Sequence, residues 1–138
     1  ADLRTRIMLE PGVCLLPAEV EVGCVEYKLK LIDPSASRLE QLVTQLKYRL
    51  AEGAGRATYL LGVRDDGTLH GLAPAEMDES VGTLRRMCAH ASASMTSLHE
   101  RPVGTAGAVV AEVAVEALAE CAQLELRLAM LGAAQAGK

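Results

Sequence analysis

An amphipathic helix with its own start and stop signals occupies residues 37–53, and this feature most constrains the fold. Ser37 and Glu40 match the capping box S-x-x-E, in which each side chain satisfies a free backbone N–H group of the other residue. Gly53 and Gly55 favour an end to the helix at this point. Between these signals runs an apolar stripe, which needs a sheet to cover it. The stripe consists of Leu39, Leu42, Val43, Leu46 and Leu50.

A strand precedes this helix and a hairpin follows it. The segment Val25–Leu31 alternates apolar with charged residues, which predicts a half-buried strand with one solvated face. Apolar segments at Thr58–Val63 and Leu69–Leu72 flank a turn sequence that contains Asp66-Gly67. Because Asp-Gly tolerates the positive φ of a tight turn, this pattern predicts a β-hairpin.

Residues 74–116 predict a second helix and two further strands. Pro74 suits a first helical position, and apolar residues recur at helical spacing from Met77 to Ala91. Segments 95–101 and 109–116 are interpreted as strands on either side of a flexible loop. The predicted order β-α-β-β-α-β-β is an α+β fold, in which one mixed or antiparallel sheet packs against two amphipathic helices.

The composition limits both the core and the partners. The chain contains no Phe and no Trp, although 50% of its residues are hydrophobic, so the core must be built from aliphatic residues and Met. Tyr27, Tyr48 and Tyr59 offer few platforms on which unpaired bases could stack. A net charge of −4 gives no sign of a protein that coats nucleic acid or membranes. No apolar run approaches the roughly 18 residues of a membrane-spanning helix, so we expect no membrane partner.

Candidate catalytic groups inside residues 25–116 all have a structural interpretation. Asp65 and Asp66 stand beside Gly67, where turn residues are common, so paired-carboxylate chemistry is the weaker interpretation. Three serines lie near two histidines in the sequence, yet no G-x-S-x-G elbow accompanies them. The four cysteines, at 14, 24, 88 and 121, have no zinc-ligand spacing, and we interpret them as structural or incidental thiols of a protein in the cytosol.

Basic residues suggest a further candidate, an RNA-binding surface. Arg85 and Arg86 lie on the predicted second helix, and together with Arg49 and Arg56 they could form a small surface for RNA phosphate. A solvated helix face is the commoner explanation of such a pattern. Considered by its residues alone, this part of the chain is a binding or positioning module and not an enzyme.

The motif with the most specific chemistry is G-x-x-x-x-G-K, at residues 132–138. In nucleotide-binding proteins its glycines let the backbone wrap phosphate oxygens, and its lysine adds positive charge at the β and γ phosphates. The alternating apolar segment Leu124–Leu131 enters the motif as a strand would, which is the context that the motif requires. Gly132, Gly137 and Lys138 are therefore the predicted nucleotide-binding residues. The alternative is an Ala- and Gly-rich tail that matches by accident.

Several segments resemble one family, the GTP-binding proteins one and two, which are eukaryotic relatives of the elongation factors that carry aminoacyl-tRNA. The Tyr-Lys-Leu-Lys-Leu and Val-Thr-Gln-Leu-Lys blocks are the most specific, and the likeness covers residues 20–103 and 124–138. The matching segments are V-E-Y-K-L-K-L-I-D-P-S (Val25–Ser35), L-E-Q-L-V-T-Q-L-K-Y-R-L-A-E-G-A-G (Leu39–Gly55), Y-L-L-G-V-R-D-D-G-T-L-H-G-L (Tyr59–Leu72), T-L-R-R-M (Thr83–Met87) and L-R-L-A-M-L-G-x-x-x-x-G-K (Leu126–Lys138).

This resemblance implies a domain plan. The order and spacing of the segments look like the accessory N-terminal domain of the family followed by the start of its GTPase domain, so that the 138 residues would be a fragment of a longer protein. The plan is an irregular lead-in at 1–24, an α+β accessory domain at 25–116, a linker at 117–123, and the first strand and truncated phosphate loop of an α/β GTPase domain at 124–138.

The resemblance also implies a function. The longer protein would bind GTP with Mg²⁺, hydrolyse it, and act in the cytoplasm on translating ribosomes in elongation or rescue, with tRNA as a further candidate partner. The fragment alone would be inactive. Family members carry Asn or His, then Val, then Asp inside the phosphate loop, where this chain has Ala133, Ala134 and Gln135, a departure that bears on nucleotide binding and hydrolysis. A non-enzymatic RNA- or protein-interaction module with a chance phosphate-loop match is the alternative.

Overall fold

The computed structural model describes residues 8–118, which form an α+β fold. The strand and phosphate loop predicted over 124–138 lie outside these residues, as does most of the predicted linker. The elements, in chain order, are β1 (Val25–Lys28), α1 (Ala36–Glu52), β2 (Arg56–Leu61), α2 (Pro74–His90), β3 (Ala93–Val103) and β4 (Ala108–Ala117).

The four strands form one mixed sheet in the order β1-β2-β4-β3. β1 pairs with β2 in parallel, which the crossover through α1 permits, and both other pairings are antiparallel. Both helices pack on one face of the sheet, where β2 and β4 present alternate residues such as Tyr59 and Val113. The predicted α+β class, with a mixed sheet and two amphipathic helices, is confirmed.

The core covers both faces of the sheet and is built mainly from aliphatic residues and Met, with Tyr27 and Tyr59 also buried. The larger cluster lies between helices and sheet, where Leu42 and Leu46 of α1 meet Leu84 of α2. A smaller cluster lies on the opposite face, where Leu9 and Leu16 of the segment before β1 are buried. This lead-in has no regular strand or helix over residues 8–24, as expected, yet it covers part of the sheet and so belongs to the packed structure.

The first helix begins two residues earlier than the capping-box pattern predicts. Its N-cap is Ser35, whose Oγ accepts a hydrogen bond from the backbone N–H of Arg38 at 3.1 Å. Ser37 already lies inside the helix, so its assignment as the cap is wrong. The start follows Pro34, since a proline disfavours helical geometry in the residue before it and not in those after it. The helix ends at Glu52 with Gly53 as its C-cap, as predicted.

The predicted hairpin keeps its turn but loses its return strand. Gly67 has φ +93 and its N–H donates to Arg64 O at 2.9 Å, which places the turn at Asp66-Gly67 as predicted. Leu69–Leu72 form only isolated bridges, from Leu69 to Val63 and from Leu72 to Val109, so a strand there is wrong. Gly62 and Gly71 meet backbone to backbone, and the chain then crosses from β2 towards β4 instead of extending the ladder.

Candidate functional site

The predicted nucleotide-binding residues lie outside the described part of the chain. Gly132, Gly137 and Lys138 follow residue 118, where the description ends, so their role stays a prediction. Within residues 8–118 the strongest concentration of interacting charges is a cluster that joins the lead-in, β1 and α1.

Arg49 of α1 is the centre of this cluster and is only 4% exposed. Its Nε donates to Glu26 Oε1 at 2.8 Å, and its Nη1 donates to the backbone carbonyl of Gly23 at 2.8 Å. Glu19 lies 3.8 Å from Nη2, and Lys28 Nζ lies 3.4 Å from the second oxygen of Glu26. The charged side of β1 was expected to be solvated, and this is wrong because the C-terminal half of α1 covers it and supplies the counter-charge.

Burial and mutual charge shift the titration of this cluster. Burial raises the pKa of Glu19 above its usual value and the carboxylates of Glu26 and Asp65 raise it further, against a hydrogen bond from the Tyr27 N–H that lowers it. Burial alone would lower the pKa of Arg49, but its hydrogen bond and charge interaction with Glu26 raise it. Burial also raises the pKa of Tyr59, whose hydroxyl has no hydrogen-bond partner among residues 8–118.

The chemistry available to this cluster is structural. Both Glu26 oxygens contact cations, and Glu19 is held by a backbone N–H and by Arg49, so both carboxylates are engaged in structural contacts. Removing one partner of such a buried pair leaves an uncompensated charge, which costs about 3–5 kcal/mol. The cluster therefore fastens the lead-in to the domain. The sequence gives one sign of this cluster. Arg49 lies three residues after Leu46 and so falls on the apolar face of the helix, where a charged residue is unexpected.

Other side chains fasten the lead-in by bonding to its backbone. Glu112 of β4 accepts hydrogen bonds from the N–H groups of Met8 and Leu9 at 2.7 and 2.8 Å. Arg101 of β3 donates to the carbonyl oxygens of Glu10 and Val13 at 2.8 and 2.6 Å. These bonds replace the regular ladder that an irregular segment lacks, and so they satisfy backbone groups beside the buried Leu9.

The predicted basic surface is not assembled. Arg85 and Arg86 are exposed on α2, and Arg56 is exposed at the start of β2. Arg49 is buried and already paired with two carboxylates, so it is unavailable to a phosphate. Arg49 therefore cannot share a phosphate-binding surface with the other three arginines.

The catalytic candidates named from the sequence also remain structural within residues 8–118. Asp66 Oδ1 accepts a hydrogen bond from the Thr68 N–H at 2.9 Å, and this bonding lowers the pKa of the carboxyl, as suits a turn residue. The serines and histidines make no hydrogen bond with one another in the described chain. They are Ser92, Ser94 and Ser97, with His90 and His99.

Three cysteines lie in the described part of the chain, at positions 14, 24 and 88, and all are free thiols. Burial raises the pKa of the Cys88 thiol to about 11, which makes it a poor nucleophile. Residues 8–118 contain no group of three or more side chains arranged to hold a metal ion. Cys121 lies outside these residues.

A groove of about 380 Å³ separates α1 from the end of α2. Leu39 and Val43 supply its apolar lining, and Glu40 and Lys47 carry opposite charges at its margin. This mixed, open groove has no charge preference that selects a ligand. Among the helices that the structure describes, none is long and apolar enough to cross a membrane.

Comparison with known proteins identifies relatives that are named for nucleotide binding. The chain is 48% identical to GTP-binding protein 2 of Mus musculus over 127 residues, which cover 89% of this chain and 21% of the relative. It is 47% identical to GTP-binding protein 2 of Homo sapiens, with the same coverage of 89% and 21%. GTP-binding protein 1 of Xenopus laevis is 36% identical over 115 residues, which cover 83% of this chain and 17% of that protein.

These similarities support a GTP-binding family. They agree with the family name to which the sequence segments point, and they leave the relation to elongation factors as an expectation. The chain spans about a fifth of the length of the curated relatives it matches. No protein-family model matches the chain, and no solved structure matches it.

Proposed function

We propose that this chain is the amino-terminal part of a GTP-binding and GTP-hydrolysing translational factor, which acts in the cytoplasm on ribosomes in elongation or rescue. The observation that carries the proposal is the similarity to GTP-binding protein 2, at 47–48% identity over 89% of the chain. The G-x-x-x-x-G-K motif at 132–138 also supports it, because glycines and a lysine in this pattern bind phosphate in nucleotide-binding proteins.

The chemistry would lie in the phosphate loop. Backbone N–H groups between Gly132 and Gly137 would surround the phosphates, and Lys138 would supply positive charge to them. Mg²⁺, held by the Ser or Thr that follows the lysine in such motifs, would neutralise charge as it develops during hydrolysis. The Asp that the family carries in this loop is Gln135 here, so we expect the hydrolysis rate to depend on this position.

The described domain would act as a positioning module for that chemistry. Its buried Arg49 is paired with Glu26 and Glu19, and residues 8–118 present no nucleophile and base in contact. The alternative, a non-enzymatic RNA- or protein-interaction module, would use the exposed Arg85 and Arg86 and would need no nucleotide.

Hydrolysis assays on the full-length protein test the proposal. We expect GTP hydrolysis that ribosomes stimulate and that Lys138→Ala abolishes, since the lysine stabilises phosphate charge. Arg86→Ala serves as the matched control, because it also removes one exposed cation but should leave stimulated hydrolysis unchanged. Ribosome binding without any nucleotide requirement would favour the interaction module and reject the GTPase.

A further inference from the structure

The chain leaves the described domain at one end of the sheet, which we call the exit end. It comprises the turns at 53–56 and 91–93, the last residues 117–118, and Val22 beside them. Leu118 donates its N–H to Ser92 O at 3.0 Å, and Ala117 donates to Gly55 O at 2.8 Å, so these turns are joined. The Gly23 N–H donates to Glu52 Oε1 at 3.0 Å, which places Val22 on the same surface.

We propose that the exit end docks against the nucleotide-binding domain that begins at residue 124, and this inference rests on the proposed function. The first support is the length of the connection. From Leu118 to Leu124 the chain can extend by at most about 20 Å. The opposite end of the sheet, at the loops 64–67 and 104–107, lies one full strand away, which for the 10 residues of β4 is about 33 Å. The start of the next domain cannot reach that end.

The second support is the shape of the exit end. The connection from α1 to β2 contains only residues 53–55, and that from α2 to β3 only residues 91–92. Ala54 and Ser92 adopt positive φ of 54 and 53, which lets both turns close tightly. The exit end therefore has only short turns, whereas the opposite end carries longer connections such as 62–73 and 104–107. Fewer loop residues then separate the sheet from a neighbouring domain at the exit end.

The third support is apolar exposure. Val22 is 64% exposed and Leu118 is 49% exposed, and they stand at opposite sides of the exit end with Arg56 between them. Interfaces between domains of one chain combine apolar contacts with polar and charged groups, and both kinds are present at this end. The outer faces of the two helices instead carry charged residues such as Glu79 and Arg85.

Amide hydrogen exchange, compared between the full-length protein and the 138-residue chain, tests this docking. We expect the turn 53–56 to exchange at least about tenfold more slowly in the full-length protein, because docking excludes solvent from it. The turn 64–68 at the opposite end should exchange equally in both. Equal exchange of residues 53–56, or protection that appears only at 64–68, would overturn the proposal.

Substitutions in the full-length protein sharpen the test. Leu118→Glu should abolish the protection of residues 53–56, whereas Leu15→Glu, which alters a 65% exposed leucine near Thr68 at the opposite end, should leave it intact. Val22→Glu gives the same readout from the other side of the surface if Leu118→Glu fails to fold. Protection that survives both exit-end substitutions would overturn the docking.

Nucleotide affinity measured on the same samples separates the two hypotheses. If the protein binds GTP but the exit end is unprotected, the docking is wrong and the proposed function stands. If the exit end is protected but GTP does not bind, the nucleotide assignment is wrong and the contact remains an interface with a domain of another kind.

Discussion

At the scale of single residues, Gly67 combines a positive φ with a close approach to the backbone of the lead-in. Its φ of +93 suits glycine, and a Cβ there would lie 1.9 Å from Leu16 O of the lead-in. We expect Gly67→Val to lower the free energy of unfolding by about 1 kcal/mol or more, because a β-branched residue resists positive φ and would also displace the lead-in. Urea denaturation monitored by circular dichroism measures this loss.

Gly82 provides the matched control. It lies inside α2, is exposed, and has no atom within 4 Å of the position a Cβ would take. Gly82→Ala should raise the free energy of unfolding by about 1 kcal/mol, since alanine has the higher helix propensity. If Gly67→Val and Gly82→Ala both raised the free energy of unfolding, the contact between Gly67 and the lead-in would be wrong.

Glu19 should make stability depend on pH. Its folded-state pKa is raised above 4.5, so the folded chain holds this proton more tightly than the unfolded chain does. The stabilisation it contributes is complete below pH 4.5 and is lost as the pH rises through the folded pKa. Relative to Glu19→Gln, the natural sequence should therefore become less stable as the pH rises above 4.5. Denaturation curves for both proteins over this range test the sign, and parallel pH dependences would contradict it.

At the scale of elements, the two serines before α1 test where the helix begins. Ser35→Ala removes the hydroxyl that accepts from the Arg38 N–H, and should cost about 1 kcal/mol of stability. Ser37→Ala changes a residue already inside the helix, where alanine is favoured, and should cost nothing. Thermal unfolding of both variants distinguishes them. A larger loss for Ser37→Ala would restore the capping box predicted from the sequence.

The elements that could be predicted are those with a clear period. Both helices show it, because each buries one apolar stripe against the sheet. The return strand at Leu69–Leu72 could not be excluded from its apolar residues alone, since the crossing at Gly62 and Gly71 is a tertiary contact. The burial of Glu26 was missed for a similar reason. Its counter-charge, Arg49, lies 23 positions away in the sequence.

At the scale of the whole molecule, the lead-in is part of the core. It was expected to be a linker or irregular lead-in before a domain at 25–116, yet Leu9 is fully buried on the face of the sheet that the helices leave open. A chain that begins at Val25 would expose Leu60 and Val110, both fully buried in the structure. We expect such a fragment to be much less stable than residues 8–118.

A single substitution measures the same contribution without truncation. Leu9→Ala should lower the free energy of unfolding by about 2–5 kcal/mol, the usual cost of a cavity at a buried leucine. Leu15→Ala, six positions further along the lead-in and 65% exposed, should change it by less than about 0.5 kcal/mol. Equal effects in denaturation experiments would show that the lead-in does not pack on the sheet.

The candidate nucleotide site stays a prediction from the short local motif at Gly132–Lys138, which lies outside the described residues. The cluster around Arg49 could not be predicted, since it depends on segments brought together only by folding. The described domain therefore explains how the chain packs, while the proposal of GTP binding depends on the names of its relatives and on the motif.

Calorimetry with a non-hydrolysable GTP analogue tests the nucleotide assignment most directly. The full-length protein should bind the analogue, and Lys138→Ala should weaken binding by about an order of magnitude or more, because charge-assisted contacts to phosphate are strong. The 138-residue chain should show no binding, since the helix N-terminus that attracts phosphate follows the lysine in this motif. An unchanged affinity in the Lys138→Ala protein would contradict the assignment of Gly132–Lys138 as a phosphate loop.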